Sequence, residues 1–269
     1  MREPAPLERL GFKTRQGGVH TARTMMLKEL TTLFECVASD ARMRSYRSAI
    51  RDQNCLAKPS GRSRNLTARH LVELYGLDPA NPVHAGLRYF WSRDQAARPQ
   101  LALLAATARD SLLRSIVPEI LALPPGTLVQ RDWVESLIED RWPERFSAAT
   151  RKSVAQNINS SLTQAGHLSG RARKLRRLVE PLPGSVAFAL YLGWLQGERG
   201  ELLLQNSYCM LLATSTERLL ELAAFSSARG WLVMRRVDSV IDIDFPALEP
   251  LVRAALACGA THGVQERSS

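Results

Sequence analysis

Three proline-rich breaks limit what this chain can fold into: Asp78-Pro79-Ala80-Asn81-Pro82, Leu123-Pro124-Pro125-Gly126 and Glu180-Pro181-Leu182-Pro183-Gly184. Proline lacks the amide that continues a helix or central strand, and glycine favours turns, so such dense stretches stop regular structure. They divide the sequence into a helix-turn-helix-like region (1–80), a central helical segment (81–123), a winged-helix-like unit (124–182) and a helical region with a short β-hairpin (183–269). The expected fold class is mainly α: a helical protein with two helix-turn-helix or winged-helix-like units and short β-hairpins.

Apolar periodicity fills these regions with helices. Met26, Leu27, Leu30, Leu33, Phe34 and Val37 recur at the helical period over 24–38. A short, very basic helix follows over 42–54. The loop Lys58-Pro59-Ser60-Gly61-Arg62-Ser63-Arg64 then leads into a helix over 67–77, with Leu71, Leu74 and Tyr75 as its apolar side. Three short helices with a loop before the third fit a helix-turn-helix. Leu87, Phe90 and Trp91 open the next pattern. The run from Leu101 to Leu121, at spacings of three and four, suggests one long core helix with Pro118 near its end.

The strongest local signature lies between the second and third breaks. Trp133, Val134, Leu137 and Ile138 share a face over 131–141. Ser147 is a good N-cap for a second helix, whose stripe is Val154, Ile158 and Leu162 and which Gly166 ends. From 168 to 179 the sequence alternates loosely around Gly170, as a two-stranded wing does. Beyond the third break, 186–195 and 202–212 read as apolar helices, and Ser215 or Thr216 caps a helix over 217–229. Segments 231–234 and 240–245 read as a hairpin across Val237-Asp238-Ser239. Its second strand is acidic, so it is expected to pack rather than to bind DNA.

Charge points to a partner. The net charge is +10, but residues 42–69 carry eight Lys/Arg against Asp52, and residues 141–178 carry nine against Glu144. These stretches hold +15 between them, and the remainder of the chain sums to −5. Basicity this local fits a polyanion such as double-stranded DNA.

Five cations of the wing, Arg171, Arg173, Lys174, Arg176 and Arg177, fall within seven residues without a carboxylate. Five neutralised phosphates would give a log–log salt slope of roughly −4 to −5. A solvated charged hairpin is the plain alternative. Arg151, Lys152, Gln156 and Asn159, in the early turns before the wing, are candidates for the recognition helix; an ordinary polar face is their alternative. Lys58, Arg62, Arg64 and Arg69, with Arg42, Arg44, Arg47 and Arg51 beside them, form a second candidate phosphate surface. It could equally meet an acidic protein.

Enzyme signatures are sparse, and no cofactor is implied. There is no G-x-x-x-x-G-K-[ST] loop, and the histidines (20, 70, 84, 167, 262) are scattered. Asp242 and Asp244 alternate on one strand, as a metal-dependent nuclease could use them, but no Lys or Glu follows at a suitable spacing. Glu139-Asp140 reads as a surface pair. The cysteines at 36, 55, 209 and 258 form no C-x-x-C pair, so buried, reduced thiols are expected. The chain has no apolar signal core, and its longest apolar stretch is half the ~20 residues that span a bilayer, so it reads as soluble and cytoplasmic.

The order of these segments resembles the BrxA family of the bacterial BREX phage-defence systems. The likeness is carried by Met26-Leu27-Lys28-Glu29-Leu30, by Ser63-Arg64 and the Arg69 helix with Leu74, and by the helix over 112–121. Asp52-Gln53-Asn54-Cys55-Leu56-Ala57-Lys58 looks like the family's Asn-Leu-Leu-x-Lys turn, from which Cys55 departs. The nearest match is Thr150-Arg151-Lys152-Ser153-Val154-Ala155-Gln156-Asn157-Ile158 with Leu162 and Ala165-Gly166; the likeness spans roughly residues 20–245. It implies a non-enzymatic helical protein with helix-turn-helix-like parts that binds DNA beside a methyltransferase and other BREX components. Members often carry an inner-membrane label, which no span in this sequence supports. A winged-helix transcription regulator and a basic protein–protein scaffold subunit are the other readings.

Overall fold

The first helices form where apolar period and side-chain caps agree. A computed structural model describes residues 6–237 and 240–257. Asp238 and Ser239 of the expected hairpin turn, together with Cys258 and His262, lie outside the described residues. A short helix α1 (Pro6–Arg9) and a 3-10 turn (Val19–Thr21) precede α2 (Leu27–Cys36), α3 (Met43–Arg51) and α4 (Gly61–Tyr75).

Helix α4 begins at Gly61, well before the expected Thr67. Ser60 is the cause: its Oγ accepts the Ser63 amide at 3.2 Å, and the Ser63 hydroxyl oxygen accepts the Ser60 amide at 3.3 Å. This reciprocal box satisfies two amides of the helix start. Arg62 and Arg64 therefore lie in the first turn of a helix rather than in a loop.

Helices α5 (Pro82–Arg93), α6 (Arg98–Arg109) and α7 (Ser111–Leu121) follow. The single helix expected over 101–121 is thus two. Asp110 divides it, with an extended backbone (φ −127°, ψ 112°) and a carboxylate that accepts the amides of Leu112 at 2.9 Å and Leu113 at 3.3 Å. An aspartate in this position caps a new helix more readily than it continues the old one.

The next stretch contains β1 (Leu128–Val129), α8 (Arg131–Arg141), α9 (Ala148–Gln164), β2 (Leu168–Ser169) and β3 (Lys174–Arg176). The strands form an antiparallel sheet in the order β1-β3-β2, with Leu175 opposite both Leu128 and Ser169. Strand β1 had no signal in the sequence. With α7 in front, the path α7-β1-α8-α9-β2-β3 has the connectivity of a winged helix, and residues 170–173 form the tip of the wing.

Helix α10 (Pro183–Leu195) is buried nearly all round and packs against α5 and α6. The helix expected over 202–212 is broken into α11 (Glu201–Leu204) and α12 (Ser207–Met210), because the Asn206 side chain accepts the amides of Tyr208 at 2.7 Å and Cys209 at 2.9 Å. Helix α13 (Thr216–Ala228), which also packs on α10, starts at a Ser215 cap. It leads to the antiparallel pair β4 (Val233–Val237) and β5 (Val240–Asp244), then α14 (Glu249–Ala257). The fold is mainly helical with short antiparallel strands. Buried residues from Leu10 to Val252 join one hydrophobic cluster. Among the described residues, no helix is long and apolar enough to cross a membrane.

The thiols depart from expectation. Cys209 is buried, but Cys36 is exposed and Cys55 only half-buried. Cys36 is the last residue of α2 and Cys55 lies in the turn after α3, where the core covers neither fully.

Candidate nucleic-acid interface

Helix α9 occupies the recognition position. Ser147 Oγ accepts the Thr150 amide at 3.2 Å and starts the helix, and Val154, Ile158 and Leu162 are buried beneath it. Lys152, Ser153 and Gln156 are exposed on its outer face. Two sequence candidates are not there. Arg151 Nη1 donates to Glu139 Oε2 at 2.6 Å and to the Phe146 carbonyl at 2.8 Å. It is therefore neutralised in the turn between α8 and α9. Asn159 is 5% exposed, because the buried arc is wider than the Val154-Ile158-Leu162 stripe and takes in Ala155 and Asn159 as well.

The wing divides its five cations. Arg171, Arg173 and Arg177 are exposed, and no described side chain or carbonyl pairs with them. Lys174 is half-buried; its Nζ donates to the Gly170 carbonyl at 2.7 Å across the wing, and burial lowers its pKa. Arg176 is a correction to the sequence reading, since it is only 1% exposed. Its guanidinium donates to the Leu121 carbonyl at 3.0 Å and to the Arg177 carbonyl. In a strand, residues two apart share a face, so Arg176 follows Lys174 inward while Leu175 faces out. There it meets the negative end of α7, where a cation is favourable. Beside it, burial first and Arg176 second lower His167 to about 4, which keeps that ring neutral.

The second basic surface lies on α3 and α4. Arg47, Arg51, Asn65 and Arg69 line an open groove of about 300 Å³ over Leu66 and Val72. Arg42, Arg44 and Arg62 are exposed and Arg64 is half-buried. Lys58 departs from expectation: its Nζ pairs with Glu29 Oε1 at 2.9 Å, which commits it to α2. Two arginines in the first turn of α4 sit at the positive end of the helix dipole. That placement is unfavourable by itself and suits an anion at the helix start.

An N-terminal arm joins the two surfaces. The 3-10 turn packs against both α4 and α9, and Arg23 follows it. Within the arm His20 is fully buried, its Nδ1 2.8 Å from Asp110 Oδ2 and its Nε2 2.8 Å from Ser161 Oγ. The same side of α9 binds the arm through Asn157 Nδ2 to the His20 carbonyl at 2.9 Å and through the Leu27 amide to Gln164 Oε1 at 3.0 Å. Sequence reasoning missed this cluster, whose members come from three distant segments. Its Asp-His-Ser order is that of a nucleophilic relay, but Ser161 is sealed at 0% exposure and its Oγ accepts the Met25 amide at 2.8 Å. Here the cluster holds the arm to the helix.

Asp242 and Asp244 both pair with Arg235, at 3.2 and 3.6 Å. Among the described residues, no group of His, Cys, Asp or Glu could hold a metal ion. Glu139, expected to be half of a surface pair, organises the α8–α9 turn through Arg151 and the Glu144 amide (2.9 Å). The sequence matches no protein-family model and no curated protein.

Proposed function

We propose that this chain is a non-enzymatic protein that binds double-stranded DNA through phosphate contacts, as a component of a BREX-type bacteriophage defence system. The observation that carries DNA binding is the winged-helix path α7-β1-α8-α9-β2-β3, with three unpaired arginines, Arg171, Arg173 and Arg177, on its wing. Phosphate oxygens supply the anions that these side chains lack within the protein. The α3–α4 groove and the first turn of α4 supply a second contact, with Arg47, Arg51, Arg62 and Arg69 reaching the backbone. With Arg151 and Asn159 withdrawn, Lys152 and Gln156 are the candidate base-reading groups left on α9, so affinity exceeds sequence preference. Placement beside other BREX components rests on the sequence resemblance.

The test is binding of unrelated duplexes by the full chain across a salt series. A steep slope shared by all sequences is the expected result. Enrichment of a palindromic motif from random duplexes would favour the transcription regulator. Absence of salt-dependent binding, with co-purification of an acidic protein, would favour the scaffold. The defence role is checked by deleting the gene in a host that carries such a system; unchanged phage plaquing would refute it.

A further inference from the structure

A cavity of about 580 Å³ opens where the chain from Glu8 to Gly18 meets the ends of α4 and α6 and the start of α5. Arg109, the last residue of α6, lines it and is only 9% exposed. Its Nε donates to the Glu73 carbonyl at 3.1 Å and its Nη1 to the Gly11 carbonyl. Those two bonds fix the plane of the guanidinium, and among the described residues nothing accepts from Nη2. A buried cation held by carbonyls alone keeps a charge that no anion balances. Two further donors line the same cavity. Asn81 caps α5 through its Oδ1, which accepts the His84 amide at 3.1 Å, and its Nδ2 has no acceptor among the described residues. Arg15 is exposed and pairs with no described group. The two carboxylates that line the cavity already have partners. Glu73 pairs with Lys13 at 3.1 Å, and Glu8 Oε1 accepts the Thr14 hydroxyl at 2.7 Å.

We infer that this cavity binds a small phosphomonoester that also carries hydroxyl groups, either a free sugar phosphate or a mononucleotide. Arg109 Nη2, Arg15 and Asn81 Nδ2 come from three segments of the chain, and all are donors. A phosphoryl group offers them three terminal oxygens, whereas a carboxylate offers two in one plane. It also supplies the anion that the buried guanidinium lacks. The cavity is larger than a phosphate needs, and its volume lies in the range of small-molecule sites. The second oxygen of Glu8 accepts a ligand hydroxyl, so the acidic side suits the polyol and leaves the phosphate to the donors. The loop along the cavity is anchored beyond it. Ser111 Oγ accepts the Gly17 amide at 2.8 Å, and Gly18 leads to His20, whose amide donates to Asp110 Oδ2 at 3.1 Å. A ligand therefore meets a seat that is already ordered, which lowers the cost of binding. This inference stands independently of DNA binding.

The experiment titrates the full chain with ribose 5-phosphate, AMP and unphosphorylated ribose by calorimetry. Expected are saturable binding of a phosphorylated probe at millimolar concentration or below, no binding of ribose, and a Tm raised by about 4 °C at about ten times Kd. Tighter binding of AMP than of ribose 5-phosphate assigns a nucleotide, and equal or weaker binding assigns a sugar phosphate. Arg15→Glu, at an exposed position, should weaken binding roughly tenfold or more and leave the Tm of the free protein unchanged. Asn81→Asp, which keeps an oxygen to cap α5, should weaken it similarly. Hydrogen exchange should slow over residues 8–18 when the probe is bound. Failure of both phosphorylated probes to bind, undiminished binding in Arg15→Glu, or protection confined to the wing at 168–178 would each overturn the inference.

Discussion

Arg176 ends helix α7 by donating its guanidinium to the Leu121 carbonyl at 3.0 Å. The two residues are 55 apart in sequence, and their bond makes one cation of the wing part of the core. Replacement of Arg176 by Ala leaves the helix end unsatisfied and a void beneath β3, and should cost about 2–4 kcal/mol in urea unfolding. Arg171→Ala and Arg173→Ala should each change stability by less than ~0.5 kcal/mol. Equal stability of all three variants would contradict this division.

The exposed wing residues should show the converse behaviour. The triple variant Arg171→Ala, Arg173→Ala and Arg177→Ala is expected to fold normally and to lower the log–log salt slope of duplex binding by roughly 3. Circular dichroism checks the fold, and fluorescence anisotropy at several salt concentrations checks the slope. An unchanged slope would remove the wing from the interface.

Gly18 is required for space, since its φ of 178° suits any residue. A Cβ there would overlap the Asp110 carboxylate that holds His20. Gly18→Ala should therefore destabilise by about 1–3 kcal/mol. Gly61→Ala, near the start of α4 with only the end of Arg64 close by, should be neutral or stabilising. Denaturant midpoints of the two variants decide the matter.

Helix α9 was legible because cap, stripe and terminal glycine are all local, and the proline breaks were legible for the same reason. Strand β1, with two residues, is too short for any period to show. The apolar spacing runs on from Leu104 and Ala108 to Leu112, which hid the break at Asp110. The wing cations looked equivalent because charge was counted along the chain. The alternation Lys174-Leu175-Arg176 already placed Arg176 on the opposite side from Leu175, but not which side faced the core. Arg151 and Lys58 were misassigned because Glu139 and Glu29, their partners, lie outside the local motif.

Acid should weaken the fold well before carboxylates titrate. Burial, with Arg88 nearby, lowers His84 to about 3, and burial, with Arg176, lowers His167 to about 4. In the unfolded chain both return to ~6.5. Their folded values are depressed, so the unfolded state takes protons first as pH falls. Stability is full above about 6.5 and should decline by roughly 2–3 kcal/mol per pH unit between about 6 and 4. Asp110 adds a loss at lower pH: burial raises its pKa, but His20 and backbone amides outweigh that and lower it overall. As a depressed carboxylate it stabilises above its unfolded value and ceases to do so as pH falls through the folded one. Urea unfolding at pH 7.5, 6 and 5 tests the slope, and a flat profile would mean that the two imidazoles are not held neutral.

Winged helices are commonly thought of as portable pieces, cut at their ends and grafted elsewhere. The bonds from Asn157, Ser161 and Gln164 to residues 20–27 remove that freedom. The inner side of α9 is completed by a segment of chain more than a hundred residues upstream, so the helix depends on two widely separated stretches of sequence at once. A fragment beginning at α7 would bare a polar seam in place of a finished surface. Evolution could therefore alter the outer face of α9 freely, but could not move the unit without carrying its N-terminal arm along.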